Sequence, residues 1–257
     1  MSVLSCMNMS KIFQDNGFEA LRSISISIEE GESVGIVGES GSGKSTLGSI
    51  IGGLDKPTDG TVFYHGTDIS SLNGKDFRQF RRSVQYIFQD PKGAMNPYFT
   101  LRRVLIEPLR INFPGVGRAE LEDRAEEMAG KVGLPSSILD AYPYEVSGGE
   151  AQRIAIARAL LLEPEVIIAD ECVSSLDLSI KAEVINLLRH VRTETGASFL
   201  FISHDLDLVR YFCDRVYVML HGRIVECLDC RHMEEEAASE YTKMLLEDAY
   251  LWEKSKS

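Results

Sequence analysis

The stretch Gly38-Glu39-Ser40-Gly41-Ser42-Gly43-Lys44-Ser45-Thr46 contains the eight-residue pattern G-x-x-x-x-G-K-[ST], and the chemistry it suits is the grip of a nucleoside triphosphate. Glycines let a backbone wrap closely round phosphates with its N–H groups pointing inward. A helix starting behind the loop adds the positive end of its dipole. Lys44 would reach the outer phosphates, and the Ser45 hydroxyl would bind Mg²⁺. A paired acidic feature follows far downstream, where the apolar run Val166-Ile167-Ile168-Ala169 ends in Asp170-Glu171. On a strand beside the loop, Asp170 would hold the water shell of the metal. Glu171, one residue further, is placed to polarise an attacking water as a general base. Between these lies Ser147-Gly148-Gly149-Glu150-Ala151-Gln152-Arg153. Ser147 and Glu150 have the spacing of a capping box, opening a helix that should run to Leu162. The Gly148-Gly149 pair costs backbone entropy at that helix entrance, which implies that something approaches closely there.

These residues need particular elements to hold them. Residues 34–37 are an apolar run suited to a buried strand ahead of the loop, and residues 47–54 can start the helix behind it. Upstream, Ile24, Ile26 and Ile28 alternate with Ser23, Ser25 and Ser27, the mark of a half-exposed strand. Residues 29–32 make a turn, and the Pro-Thr-Asp-Gly turn at 57–60 leads to a strand over 61–64. From Asp90 to Tyr144 strand signals are few, and several prolines and glycines interrupt the chain. One clear helix stands out there, with Leu121, Ala125, Met128, Ala129 and Val132 on one side and Gly133 at its C-terminal end. Residues 166–169 and 198–202 are continuous apolar runs, expected of parallel strands covered on both faces. A helix over 180–191 joins them, and 216–220 with 223–225 make a terminal hairpin. The expected fold class is α/β: a phosphate-loop core with a mostly parallel sheet and an antiparallel β portion (1–89 and 160–230). A helical insertion (90–159) and a short, acidic, helical tail (231–257, with a helix over 241–246) complete one domain.

The 257 residues carry a net charge of −12, with 44% hydrophobic and 26% charged residues. That balance disfavours general nucleic-acid binding and adhesion to an anionic membrane surface. No run of 18 apolar residues exists, and the N-terminus lacks the basic-then-apolar pattern of a signal peptide. If the protein works at a membrane, another protein must hold it there. Five scattered cysteines suit a reducing compartment. Cys227-x-x-Cys230 has metal-like spacing, but without a second pair it reads as structural.

Taken with the loop upstream and the Asp-Glu strand downstream, Ser147 to Gln152 resembles the signature motif of the ATP-binding cassette (ABC) family, usually Leu-Ser-Gly-Gly-Gln. Here Val146 replaces the Leu and Glu150 the Gln. The resemblance covers essentially the whole chain and implies an ATPase that uses ATP and Mg²⁺. It also implies further roles. Gln89 would contact the metal and water and link the core to the helical subdomain. Asp177, in Ser174-Ser175-Leu176-Asp177, would work across a dimer interface, and His204 would sense the γ-phosphate. Phe13 would stack on adenine, with Phe18 as the competitor. The family usually has Pro after the catalytic Glu, and Cys172 stands there instead, which would loosen the following loop. One chain supplies the phosphate loop, Asp170, Glu171 and His204. The signature residues Ser147, Gly148, Gly149 and Glu150 of a second chain must close on the γ-phosphate. With one copy of each motif, the chain must pair with itself or a paralogue.

Phe88-Gln89-Asp90-Pro91 followed by Met95-Asn96-Pro97 is similar to a segment typical of oligopeptide, dipeptide and nickel importers. Glu107-Pro108-Leu109, Tyr142-Pro143-Tyr144-Glu145 and Tyr241-Thr242-Lys243-Met244-Leu245-Leu246 agree with that subfamily. The resemblance implies a location at the cytoplasmic face of the membrane. Two permease subunits would hold the cassette there, and an extracytoplasmic binding protein would deliver the substrate. The segment 91–101 would meet the permease, with Tyr98 and Phe99 as contacts. The short C-terminal region leans towards nickel or metallophore cargo. Two rival readings are a non-transport ABC ATPase of DNA repair or translation and a phosphate-loop small-molecule kinase. The first usually carries two cassettes, a coiled-coil insertion or basic surface, none of which is present.

Overall fold

The computed structural model describes residues 2–15 and 17–254. Its first strand, β1 (Ser2–Phe13), forms a hairpin with β2 (Phe18–Glu29), in which Ile24, Ile26 and Ile28 are buried and Ser23 and Ser25 exposed, as their alternation requires. β1 went unread in the sequence for a physical reason. Val3, Leu4, Cys6 and Met9 are all buried, and the register shifts between Cys6 and Met9, with Asn8 at φ 49°. A bulge of this kind breaks the two-residue period that marks a strand. Next come β3 (Ser33–Val37) and α1 (Lys44–Ile51), which begins earlier than its apolar residues suggest because the loop turns directly into it. Leu47 N–H already donates to Gly43 C=O at 2.9 Å. β4 (Asp59–Tyr64) and β5 (Thr67–Asp68) complete a four-stranded antiparallel sheet in the order β2-β1-β4-β5.

α2 (Gly74–Ser83), capped by the Asn73 side chain, is a polar helix whose one fully buried apolar residue is Phe80, so no apolar stripe announced it. β6 (Val84–Ile87) then leads into the helical region. That region holds two long helices before the signature segment rather than one: α3 (Leu101–Asn112) and α4 (Arg118–Lys131). Leu101, Val104, Leu105 and Leu109 form a helical stripe in α3, but Pro108 interrupts it in the sequence. The structure accommodates this proline inside the helix, with Thr100 capping the first turn and Asn112 Nδ2 donating to Pro108 C=O at 2.8 Å. α4 buries Leu121, Ala125 and Ala129 as expected and ends at Gly133 in the left-handed conformation.

α5 (Gly148–Leu160) returns the chain to the core, where β7 (Val166–Asp170), α6 (Leu178–Thr195), β8 (Ser198–Ile202) and α7 (Leu206–Phe212) follow. β9 (Arg215–Leu220) and β10 (Arg223–Asp229) make the terminal hairpin, and α8 (Met233–Glu236) and α9 (Glu240–Lys254) the tail. The second sheet has the order β10-β9-β3-β8-β7-β6, parallel except for β10. Every residue of β3, β7 and β8 is buried, because apolar side chains cover both faces. One apolar cluster packs Val34, Ile36, Ile168 and Leu200 against α1 and the antiparallel sheet. The other packs Ile167, Phe199 and Phe201 against α5, α6 and the helical region. Each such side chain contributes about 1.5–3 kcal/mol on burial. Cys227 is exposed while Cys230 is buried, and among the described residues no helix is long and apolar enough to cross a membrane.

Candidate functional site

Four parallel strands deliver their C-terminal ends to one edge of the sheet, where ligands of open α/β sheets bind. The phosphate loop follows β3, Gln89 lies two residues beyond β6, Asp170 ends β7 and His204 lies two residues beyond β8. The loop itself is built against its own chain. A Cβ on Gly38 would fall 2.0 Å from Met219 C=O, and one on Gly43 would fall 2.5 Å from Ala20 C=O. These two glycines are therefore demanded by the packing of β9 and β2, with positive φ at both, rather than by the approach of phosphate alone. The β9–β10 turn braces the loop further, since Gly222 N–H donates to Ser42 C=O at 3.0 Å. Gly41 faces open space.

Lys44 is buried at 4% exposure, and its Nζ donates to Gly38 C=O and Glu39 C=O, both at 2.8 Å. Burial lowers its pKa, while the charges of Glu171 and Asp170 pull it back up. Ser45 Oγ donates to Asp170 Oδ1 at 3.0 Å, and the Tyr86 hydroxyl donates to Asp170 Oδ2 at 2.7 Å. Burial raises the Asp170 pKa more than these two hydrogen bonds and Lys44 lower it, with Glu171 adding to the rise. Glu171 has φ 42°, an uncommon backbone conformation for a side chain of its size, and its N–H is anchored on Ile202 C=O at 2.9 Å. Gln89 Nε2 donates to Glu171 Oε2 at 3.1 Å, and His204 Nδ1 lies 3.5 Å from the same oxygen. Ser45 thus pairs with Asp170, and Gln89 and His204 converge on the adjacent Glu171, with Lys44 coupled to both carboxylates through charge. The turn after Glu171 is pinned rather than loose. The Ser174 N–H and Oγ both donate to Glu171 C=O, and Cys172 is buried, with its thiol pushed up to about 12.

The signature segment forms a second group. Ser147 caps α5, and its N–H and Oγ both donate to Glu150 Oε2 at 2.8 Å, which together hold Glu150 below the usual carboxylate range. The glycine pair is partly explained by the chain's own packing. A Cβ on Gly149 would fall 2.8 Å from Ile180 Cγ2 at the start of α6, whereas one on Gly148 meets nothing nearer than Leu176 at 3.7 Å. Packing within the chain therefore accounts for Gly149 but not for Gly148. Asp177 precedes α6 without capping it through its side chain. Among the described residues no hydrogen bond or ion pair joins residues 147–150 or Asp177 to residues 38–46. Phe13 and Phe18 face each other across the β1–β2 hairpin, both exposed, and Lys11 Nζ sits 5.3 Å from the Phe13 ring centre. Tyr86 was missed as a site residue because it reads as one more apolar member of its strand, and only its register opposite Ile168 brings it to Asp170.

The residues fit a triphosphate. Ser42, 3% exposed within the loop, has a hydroxyl with no partner in the protein, and Ser45 with Asp170 supplies oxygen donors suited to a hard cation. A glycine loop, a buried lysine and an Asp-Glu strand end on this sheet define a phosphate-loop ATPase. Comparison with known proteins narrows the class. Residues 21–174 match the ABC transporter family model. Oligopeptide transport ATP-binding protein OppF of Salmonella typhimurium is 44% identical over 228 residues, covering 89% of this chain and 68% of OppF. A relative from Brucella ovis named for peptide import is 44% identical over 247 residues, covering 95% of this chain and 77% of its own. Among solved structures, an ATP-binding cassette in a dimeric post-hydrolysis state with ADP and phosphate matches with a TM-score of 0.81 and 31% identity, over 89% of this chain and 99% of the other. CbiO1 of Clostridium perfringens, part of the transporter complex cbiONQ, matches with 0.78 and 27%, over 98% and 99%. The chain belongs to the ABC transporter family, and its activity is ATP hydrolysis.

Proposed function

We propose that this chain is the ATPase subunit of a peptide importer, held at the cytoplasmic face of the membrane by two permease subunits and paired with a second cassette, a paralogue or its own copy. The observation that carries it is the likeness to relatives named for peptide import and oligopeptide transport, and the junction at Glu171 Oε2, where Gln89 and His204 meet beside the Ser45–Asp170 pair, supports the catalytic roles. In that reading residues 38–46 bind the phosphates, with Lys44 on the outer ones. Ser45, Gln89 and Asp170 would hold Mg²⁺, which would supply neutralisation of phosphate charge. Glu171 polarises the water, His204 senses the γ-phosphate and Phe13 stacks on adenine. Ser147, Gly148, Gly149, Glu150 and Asp177 serve the ATP of the opposing cassette, so closure and opening of the pair become the transport stroke.

Peptide cargo is favoured over nickel or a metallophore by the names of the relatives, and the non-transport reading has no support from them. Tyr98, 87% exposed, and Phe99, which lies 3.5 Å beneath the Arg103 guanidinium, are the proposed permease contacts. Beside them an open cleft of about 820 Å³ is lined by Arg102, Arg103, Arg110 and Phe113. Co-expression with two permeases and a binding protein encoded beside it should yield a stable membrane complex that takes up labelled oligopeptide only with ATP. A chain that stays apart from every such pair, or a complex that ignores peptide, refutes the assignment.

The role given to Asp170 has its own consequence. Tyr86→Phe removes one of its two side-chain donors and should raise the Mg²⁺ concentration for half-maximal turnover about tenfold, as loss of an outer-shell partner does. Binding of ATP in EDTA should be unaffected. A Mg²⁺ titration of turnover at fixed ATP checks this, and an unchanged midpoint would remove Tyr86 from the site.

A further inference from the structure

Neither α8 nor α9 belongs to the groups above, yet the first turn of α9 touches the phosphate loop. The Tyr241 hydroxyl oxygen accepts a hydrogen bond from Glu39 N–H at 2.9 Å. Glu39 C=O is one of the two acceptors of Lys44 Nζ, so side chains hold this residue's peptide groups from both sides. The start of α9 is itself anchored. Glu226 on β10 accepts from Ala238 N–H at 2.7 Å and from Ser239 N–H at 3.3 Å. Leu246 is buried, and Tyr241 and Leu245 pack on the apolar cluster that also contains Leu206, Val209 and Phe212 of α7. That helix begins two residues after His204. One helix therefore bridges the loop that grips ATP and the segment that carries His204.

We infer that Tyr241 is a positioning residue for ATP binding, and that α9 acts as a strut setting the shape of the phosphate loop. The argument is one of replacement. When Lys44 turns to phosphate oxygens it leaves the carbonyls of Gly38 and Glu39, and the hydroxyl of Tyr241 remains as the side-chain hold on Glu39. A loop held in its binding shape loses less conformational freedom when ATP arrives. Displacement of α9 by any partner would accordingly lower ATP affinity without touching a residue that contacts ATP.

Tyr241→Phe in the full chain keeps the ring and its packing and removes the acceptor. The Kd for ATP, titrated in the presence of Mg²⁺, should rise roughly three- to tenfold, the loss associated with one hydrogen bond. Hydrogen exchange at the Glu39 amide should accelerate, and the nucleotide-free Tm should fall by no more than about 2–4 °C, the cost of one hydrogen bond in a domain of this size. A Kd within twofold of wild type, an unchanged Glu39 exchange rate, or a weaker Kd accompanied by a fall in Tm of more than about 5 °C would each overturn the inference. The last outcome would mark Tyr241 as a packing residue.

Discussion

Glu171→Gln is expected to stop turnover while leaving ATP bound. A positioned general base contributes about 10²- to 10⁴-fold to rate, so kcat should fall at least a hundredfold. Binding should survive because the substitution preserves what holds the group together. A glutamine at 171 still presents a side-chain oxygen to Gln89 Nε2, which now lies 3.1 Å from Glu171 Oε2. The electrostatics favour retention as well. Glu171 raises the pKa of buried Asp170, so removing its charge relieves a repulsion beside the metal position and beside an incoming polyanion. Affinity for ATP should therefore be equal or tighter, and a closed pair of cassettes should accumulate with Mg²⁺ and ATP. Sedimentation with and without ATP measures the pair, and phosphate release measures turnover. Near-normal kcat in this variant would disprove the assignment of Glu171 as the base.

What could be read from the sequence divides along a physical line. Contiguous motifs were legible, because Gly38 to Thr46 and Asp170-Glu171 carry their chemistry in residue order. The buried strands around them were legible too, since β3, β7 and β8 are apolar throughout. Elements whose pattern is disturbed were not. A bulge at Asn8 destroyed the alternation of β1, and Pro108 disguised the stripe of α3. Contacts between distant segments were also invisible. Tyr86 reaches Asp170 only through strand register, and Tyr241 reaches Glu39 across 202 positions. Gly149 shows an ambiguity of the same origin. The close approach that its glycine implies is made at least in part by Ile180 of the same chain. Local patterns report local forces, so a close approach within the fold looks the same in sequence as one between molecules.

Lys44→Ala should abolish tight ATP binding with little penalty to the unliganded fold. Lys44 is a buried cation whose pKa burial has lowered, so its charged form is disfavoured in the folded state. Its removal also leaves Gly38 C=O and Glu39 C=O without the ammonium, but Ser42 N–H still donates to Glu39 C=O at 3.2 Å. These terms oppose one another, and the nucleotide-free Tm should move little. The ligand has no such compensation. Two charge-assisted hydrogen bonds to phosphate oxygens, each about 1.5–3 kcal/mol, correspond to a loss of roughly 10²- to 10⁴-fold in affinity. Thermal denaturation gives a direct readout, because ATP at about 100 times its Kd stabilises the native state by about 2.7 kcal/mol. Wild-type protein should show a clear rise in Tm with ATP, and Lys44→Ala should show none at the same concentration. An unchanged rise would mean that the triphosphate is held somewhere other than residues 38–46. A rise that returns in the alanine variant only at ATP concentrations at least a hundredfold higher would place Lys44 on the phosphates and measure its contribution there.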